Sequence, residues 1–314
     1  MALEHAIEVE RLTKRYGDLL AVNDISFHVR TGEVFAFLGP NGAGKTTTVE
    51  IIETIRVPTS GNVRLLGMDV TTRKHDIVPR IGVLPQGFSS FDRITVRETI
   101  QYYARLFGCR NADVDRLIEL ANLNDKRDEQ FKNLSGGLKQ RLGIAIALVN
   151  DPEVVFLDEP TTGLDPRARR EVWQVLLSLK RHGKTVFLTT HYMEEAELLA
   201  DTVAIISNGK IVAMGSSDEL IERNANYLVL TLKTIDAAPF EIIQRIGFDP
   251  IRDNQKSIKV RVEHPDDIQR ILSALKEAGA SSLSVDVRKP NLEAVFLKLT
   301  GEALREGPVE EVPG

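Results

Sequence analysis

Two hydrophobic periodicities share this chain. Over residues 6–11 and 24–30 apolar and polar positions alternate, as in Ile7-Glu8-Val9-Glu10 and Ile25-Ser26-Phe27-His28-Val29. That spacing predicts half-buried strands on either side of a turn at Tyr16-Gly17-Asp18. A second kind of strand is apolar on both faces: Val34-Phe35-Ala36-Phe37-Leu38, Ile81-Gly82-Val83-Leu84, Val154-Val155-Phe156-Leu157 and Thr185-Val186-Phe187-Leu188-Thr189. A further short strand is expected near 62–66. Helical patterns separate these runs, over about 45–55, Pro166 to His182 and Tyr192 to Ala200. Residues 202–207 and 210–214 read as a hairpin turning at Asn208-Gly209. Fully apolar strands alternating with helices predict an α/β fold with a mainly parallel sheet.

Residues 95–149 break that alternation with an extended helical stretch. Helix starts are marked at Thr95-Val96-Arg97-Glu98, a capping-box pattern, at Asn111 to Val114, and at Ser135. The block at about 88–150 therefore reads as a helical subdomain within a first domain, 1–222. From 223 to 303 the pattern becomes strand 227–232, helix 239–246, strands 249–253 and 257–262, helix Pro265 to Ala278, strand Leu283 to Val287, and helix Leu292 to Leu299. The order β-α-β-β-α-β plus one helix predicts a small ferredoxin-like α+β domain. Residues 304–314 read as a flexible tail.

Composition adds exclusions. The chain has 314 residues, enough for two cores, and a net charge of −5, which argues against a general nucleic-acid binder. Cys109 is the only cysteine, so no internal disulfide and no cysteine metal cluster can form. The opening Met1-Ala2-Leu3-Glu4-His5 does not read as a signal peptide, and no apolar run approaches membrane-spanning length. Direct insertion into a membrane is not expected.

The chemistry centres on Gly39-Pro40-Asn41-Gly42-Ala43-Gly44-Lys45-Thr46-Thr47. It follows a buried strand and opens a helix, the context of a phosphate-binding loop. Its glycines let successive N–H groups turn toward one anion, and the positive end of the helix adds to the attraction. Lys45 can reach β- and γ-phosphates, and the Thr46 hydroxyl can ligate Mg²⁺. Asp158 closes the strand 154–157, at what should be the same sheet edge as Lys45. There it can hold Mg²⁺ opposite Thr46, with Glu159 positioned to take a proton from an attacking water.

Leu134-Ser135-Gly136-Gly137-Leu138-Lys139-Gln140-Arg141 stands between these two motifs. With it the sequence resembles the ATP-binding cassette (ABC) superfamily over about residues 6–222. The expected fold is then a P-loop NTPase with a RecA-like, mainly parallel sheet and antiparallel β and helical subdomains. The resemblance assigns ATP and Mg²⁺ as cofactors and ATP hydrolysis as the reaction. Tyr16 matches the aromatic that stacks on adenine, and Val22 lies where the ribose is expected. Gln86 matches a residue that senses Mg²⁺ and the attacking water. Asp165, in Gly163-Leu164-Asp165, matches the loop that crosses a dimer interface, and His191 the histidine that contacts the γ-phosphate. Ser135, Gly136, Gly137 and Gln140 match the segment that closes over the nucleotide of a second copy. One phosphate loop and one such segment per chain imply a head-to-tail homodimer with two composite sites.

Pro290 to Gly301 and Phe88 to Glu98 are similar to ATPase subunits of drug, sodium or glycoconjugate exporters. That implies a separate multi-spanning membrane subunit, with this chain cytoplasmic and peripheral on the inner face of the membrane. Two alternatives stand beside the exporter reading. Methionine-type importers also carry a ferredoxin-like C-terminal domain, there regulatory. Non-transport cassettes act on nucleic acid or ribosomes, usually with two cassettes or a long coiled coil.

Overall fold

The computed structural model describes residues 3–225, 227–233, 238–254, 257–280 and 284–301. Leu283, expected to open a strand, and the expected tail at 304–314 lie outside the described residues. The chain divides into one compact unit through Ser217 and a second from Asp218.

The first unit runs β1 (His5–Tyr16), β2 (Leu19–Arg30), β3 (Val34–Leu38), α1 (Lys45–Ile52), β4 (Ser60–Leu65), β5 (Met68–Asp69), α2 (Lys74–Ile77) and β6 (Ile81–Leu84). It continues with α3 (Val96–Leu106), α4 (Val114–Leu120), α5 (Gly136–Ala147), β7 (Val154–Asp158), α6 (Pro166–Arg181), β8 (Thr185–Thr190), α7 (Met193–Leu199), β9 (Thr202–Ser207) and β10 (Lys210–Gly215). A six-stranded sheet has the order β10-β9-β3-β8-β7-β6, parallel except for β10. A second, antiparallel sheet has the order β2-β1-β4-β5.

Alternation along the central strands explains the layers. Phe35 and Phe37 of β3, Phe156 of β7 and Phe187 of β8 turn to one face and pack with Phe27, Val49 and Ile52. This core joins the antiparallel sheet and α1 to the central sheet. Val34, Val155, Leu157, Val186 and Leu188 turn the other way, onto α3, α4, α5 and α6. The helical block thus shares one apolar core with the sheet. Two glycines make the approach this close: a Cβ on Gly82 would lie 1.9 Å from the Ala147 carbonyl oxygen, and one on Gly143 2.5 Å from Leu84. The marked helix starts hold, with Thr95 forming a capping box, Asp113 capping α4 and Ser135 capping α5. Asn208 and Gly209 both take positive φ in the β9–β10 turn.

In the second unit, α8 (Ser217–Asn224) leads to β11 (Leu228–Lys233), α9 (Ala238–Arg245), β12 (Pro250–Asn254), β13 (Ser257–Val262), α10 (Pro265–Glu277), β14 (Ser284–Arg288) and α11 (Leu292–Thr300). The sheet order β12-β13-β11-β14, antiparallel throughout, is the ferredoxin-like arrangement. Leu230, Leu232, Ile258 and Val260 form its core with Ile243, Ile271 and Leu275 of α9 and α10.

Candidate functional site

The phosphate loop is made by close backbone packing. β3 ends beside Gly39, where a Cβ would sit 2.4 Å from the Ile206 carbonyl oxygen. Gly42 and Gly44 take φ of 80° and 103°, which side chains disfavour. A Cβ on Gly44 would also meet the Ala21 carbonyl oxygen at 2.4 Å. Ala43 is buried, Pro40 and Thr47 are half-buried, and Asn41, Gly42 and Thr46 are exposed. Gly44 caps α1 with no side-chain hydrogen bond, so the donors of that first turn are left to a ligand.

Lys45 is 5% exposed. Its Nζ lies 2.8 Å from the Gly39 carbonyl oxygen, 3.1 Å from that of Pro40 and 3.2 Å from Glu159 Oε1. The Thr46 hydroxyl donates to Asp158 Oδ2 at 3.3 Å, and the Thr189 hydroxyl donates to the other oxygen, Oδ1. The hydroxyl and carboxylate are hard oxygen donors and suit Mg²⁺.

Glu159 is where the predicted residues converge. Its φ is +48°, and its N–H donates to Thr189 Oγ1 at 2.9 Å, fixing this strained turn to β8. Oε2 accepts from Thr162 Oγ1 at 3.0 Å and Gln86 Nε2 at 3.4 Å, and lies 3.2 Å from His191 Nδ1. Burial pushes this carboxyl up, but the contact from His191 and the charge of Lys45 outweigh it and hold it at about 2. It is an ionised acceptor at neutral pH. Nearby, burial foremost, then the charges of Asp158 and Glu50, push Glu53 up to about 8.

Tyr16 stands at the end of β1 with its ring partly exposed, Lys14 Nζ 5.0 Å and the Arg56 guanidinium 5.6 Å from the ring centre. Val22 differs from the expectation. Its side chain is fully buried in the core under the antiparallel sheet, because β2 alternates inward there, and it offers a ribose no surface. What this segment contributes is the neighbouring Ala21 carbonyl that packs on Gly44.

Ser135 and Gly136 are exposed at the start of α5. Among the described residues no hydrogen bond or ion pair links Ser135 or Gln140 to the phosphate loop. The two glycines have a packing role besides the nucleotide-covering role that the resemblance implies for them. A Cβ on Gly137 would meet Ala168 at 2.8 Å and one on Gly136 would meet Leu164 at 3.3 Å. The helix start is therefore fitted against the loop that carries Asp165. Asp165 caps α6 by accepting from the N–H groups of Arg167 and Ala168, both at 2.9 Å. Arg141, buried in α5, binds the Asn122 carbonyl oxygen at 2.8 Å and Glu171 of α6 at 3.1 Å, tying α5 to that same helix.

Sequence reasoning passed over Thr189, which holds both Asp158 and the Glu159 turn. Its signal was two threonines before His191 at the end of an apolar strand.

A family model described as "ABC transporter" matches residues 22–162. Nod factor export ATP-binding protein I of Paraburkholderia xenovorans strain LB400 is 40% identical over 319 residues, spanning 96% of this chain and 99% of that protein. The protein of the same name from Burkholderia pseudomallei strain 1710b is 42% identical over 313 residues, spanning 95% and 98%. Among solved structures, cbiO1 from Clostridium perfringens, described as part of the ABC transporter complex cbiONQ, is 28% identical with a TM-score of 0.62, covering 70% of this chain and 94% of its own. With a phosphate loop, an acidic strand end and a signature segment all in family order, the chain belongs to the ATP-binding cassette family and is an ATP-binding, ATP-hydrolysing subunit of an ABC transporter.

Proposed function

We propose that two copies of this chain close head to tail on two ATP molecules, and that closure drives export through a separate multi-spanning membrane subunit. The observation that carries this is the convergence of Lys45, Gln86, Thr162 and His191 on the Glu159 carboxylate, beside Asp158 and Thr46. The exposed Ser135-Gly136 at a helix start, unconnected to the phosphate loop by side-chain bonds, supports a site completed by a second copy. The names of relatives that match over nearly the whole chain, the second unit included, support export over import.

In this reading residues 1–222 are the ATPase body, and 223–303 an accessory domain that stabilises the dimer without chemistry of its own. Tyr16 stacks on adenine. Residues 39–47 wrap the phosphates with backbone N–H groups. Lys45 exchanges Glu159 for phosphate oxygens, both being anionic partners within its reach. Glu159, released from that cation, accepts the proton of the attacking water. Gln86 and His191, both at the Oε2 oxygen of that carboxylate, orient that water and the γ-phosphate. Thr46 and Asp158 would hold Mg²⁺, which supplies charge neutralisation between the phosphates. Ser135, Gly136, Gly137 and Gln140 of the second copy cover the γ-phosphate, and Asp165 lies at the joint.

Among the described residues no helix is long and apolar enough to cross a membrane. Phe91, Tyr102, Leu106 and Phe107 are all exposed on the helical block, with Phe91 edge-on to Tyr102 at 5.1 Å. Such an apolar row supports docking of a membrane partner and a peripheral place on the inner face. The test is Glu159→Gln with ATP. Gel filtration should give a dimer, and affinity capture from membranes should recover a multi-spanning protein. A strictly monomeric variant would remove the sandwich, and recovery of ribosomal or DNA partners without a membrane protein would remove the transport role.

A further inference from the structure

One carboxylate in the core has no part in the chemistry above. Glu195, on α7, is fully buried, in a position where a leucine would carry no desolvation cost. Its Oε1 accepts from Thr161 Oγ1 at 2.8 Å and from Trp173 Nε1 at 2.9 Å. These donors come from two other segments. Thr161 is itself fully buried and stands two residues after Glu159. Trp173 belongs to α6, the helix that Asp165 caps. Glu195 follows His191 by one helical turn, on the helix that begins immediately after it.

A second link joins the same segments. The Arg169 guanidinium of α6 lies 3.9 Å from the centre of the Tyr192 ring, and that ring lies 4.1 Å from the His191 ring. The turns bearing Glu159 and His191 are thus fastened to α6 at two points, one of them a shared carboxyl oxygen. A single acceptor with two donors fixes the distance between the donors as well as from each to itself. An apolar residue would fill the volume without that constraint.

We propose that Glu195 is a positioning residue, holding the Glu159 turn, the His191 turn and helix α6 as one block so that Glu159 and His191 meet at the γ-phosphate. The proposal rests on the catalytic reading of Glu159 and His191 given above. Loss of the anchor should lower kcat and leave the KM for ATP in place, because Tyr16 and the phosphate loop are untouched. Glutamine keeps an acceptor oxygen for Thr161 and Trp173, whereas alanine keeps none.

The test compares Glu195→Ala with Glu195→Gln in steady-state ATP hydrolysis. Trp173 is the only tryptophan in the chain, so its emission reports the contact directly. Alanine should lower kcat at least about tenfold with KM within about twofold, and shift Trp173 emission. Glutamine should lower kcat less than about threefold and leave the emission near wild type. Equal kcat for alanine and wild type would overturn the proposal, and so would equal losses in the two variants. Should the alanine variant not fold, Thr161→Val and Trp173→Phe each remove one donor. Either should lower kcat at fixed KM, and wild-type kcat in both would overturn the proposal. A Glu159→Gln control separates the two levels: if it hydrolyses ATP at the wild-type rate, the catalytic reading fails, whatever Glu195 does.

Discussion

In the proposed reading, Glu159 competes with the phosphates of ATP for Lys45. Two unit charges 3.2 Å apart attract by about 5 kcal/mol at an effective dielectric near 20. Taking both groups out of water offsets most of that, and a net coupling of about 1–3 kcal/mol remains. Glu159→Gln removes the charge that competes while keeping the side chain's shape. Lys45 then keeps only neutral acceptors, the Gly39 and Pro40 carbonyl oxygens and the new amide oxygen, and no anionic partner among those contacts. ATP affinity should rise by about 5–150-fold, and hydrolysis should fall by about 10²–10⁴-fold as the base is lost. Closure of two copies would also tighten ATP, so affinity is measured by calorimetry in a Ser135→Glu background. There a carboxylate faces the phosphate, and dimer closure is disfavoured. Turnover is read separately by phosphate release in the single variant. Unchanged or weaker ATP binding by the variant would refute the idea that Glu159 holds Lys45 against the phosphates.

Two alanine substitutions in the phosphate loop should differ. Gly42→Ala meets no atom within 4 Å and carries only the left-handed backbone penalty of about 1–2 kcal/mol, whereas Gly44→Ala adds a collision with the Ala21 carbonyl oxygen. ATP affinity should therefore drop further for Gly44→Ala, and equal losses by calorimetry would contradict the steric account. Tyr16→Ala should weaken ATP by about 1–3 kcal/mol while Tyr16→Phe does not, as fluorescent-nucleotide titration can read. Tyr102→Asp with Phe107→Asp should leave soluble ATPase activity near wild type and abolish recovery of the membrane partner. Retained recovery would move docking elsewhere. Burial, against hydrogen bonds from Thr190, Thr161 and Trp173 and the charge of Arg169, raises the Glu195 carboxyl. A raised carboxyl costs nothing below its unfolded pKa and takes stability away as pH climbs through the folded one. Glu195→Gln should therefore gain in melting temperature over wild type as pH rises above the ordinary carboxylate range, and a pH-independent difference would count against a raised carboxyl.

What could be read before folding was whatever the backbone encodes locally. Glycines at 39, 42 and 44 announce a loop because only glycine takes those conformations and approaches, and unbroken runs such as 154–157 announce strands buried on two faces. The order of the motifs then placed Lys45 and Asp158 at one sheet edge. What stayed hidden depends on which side of an element another element lands. In Met193-Glu194-Glu195-Ala196-Glu197-Leu198-Leu199 three acidic residues look like one polar face, yet Glu195 is wholly buried while Leu198 is 51% exposed. Helical spacing puts Glu195 in line with Leu199, toward Trp173, and no local signal shows that an indole N–H waits there. Val22 failed for the same reason, since its position beside the loop was right but the inward turn of its side chain was set by strand alternation. Trp173 was correctly read as core, but its N–H needs an acceptor, and a buried tryptophan near a catalytic loop is the signal that could have found Glu195. The polar residues of this site that escaped notice are thus those whose partners are tertiary, and that is where substitutions will separate anchoring from chemistry.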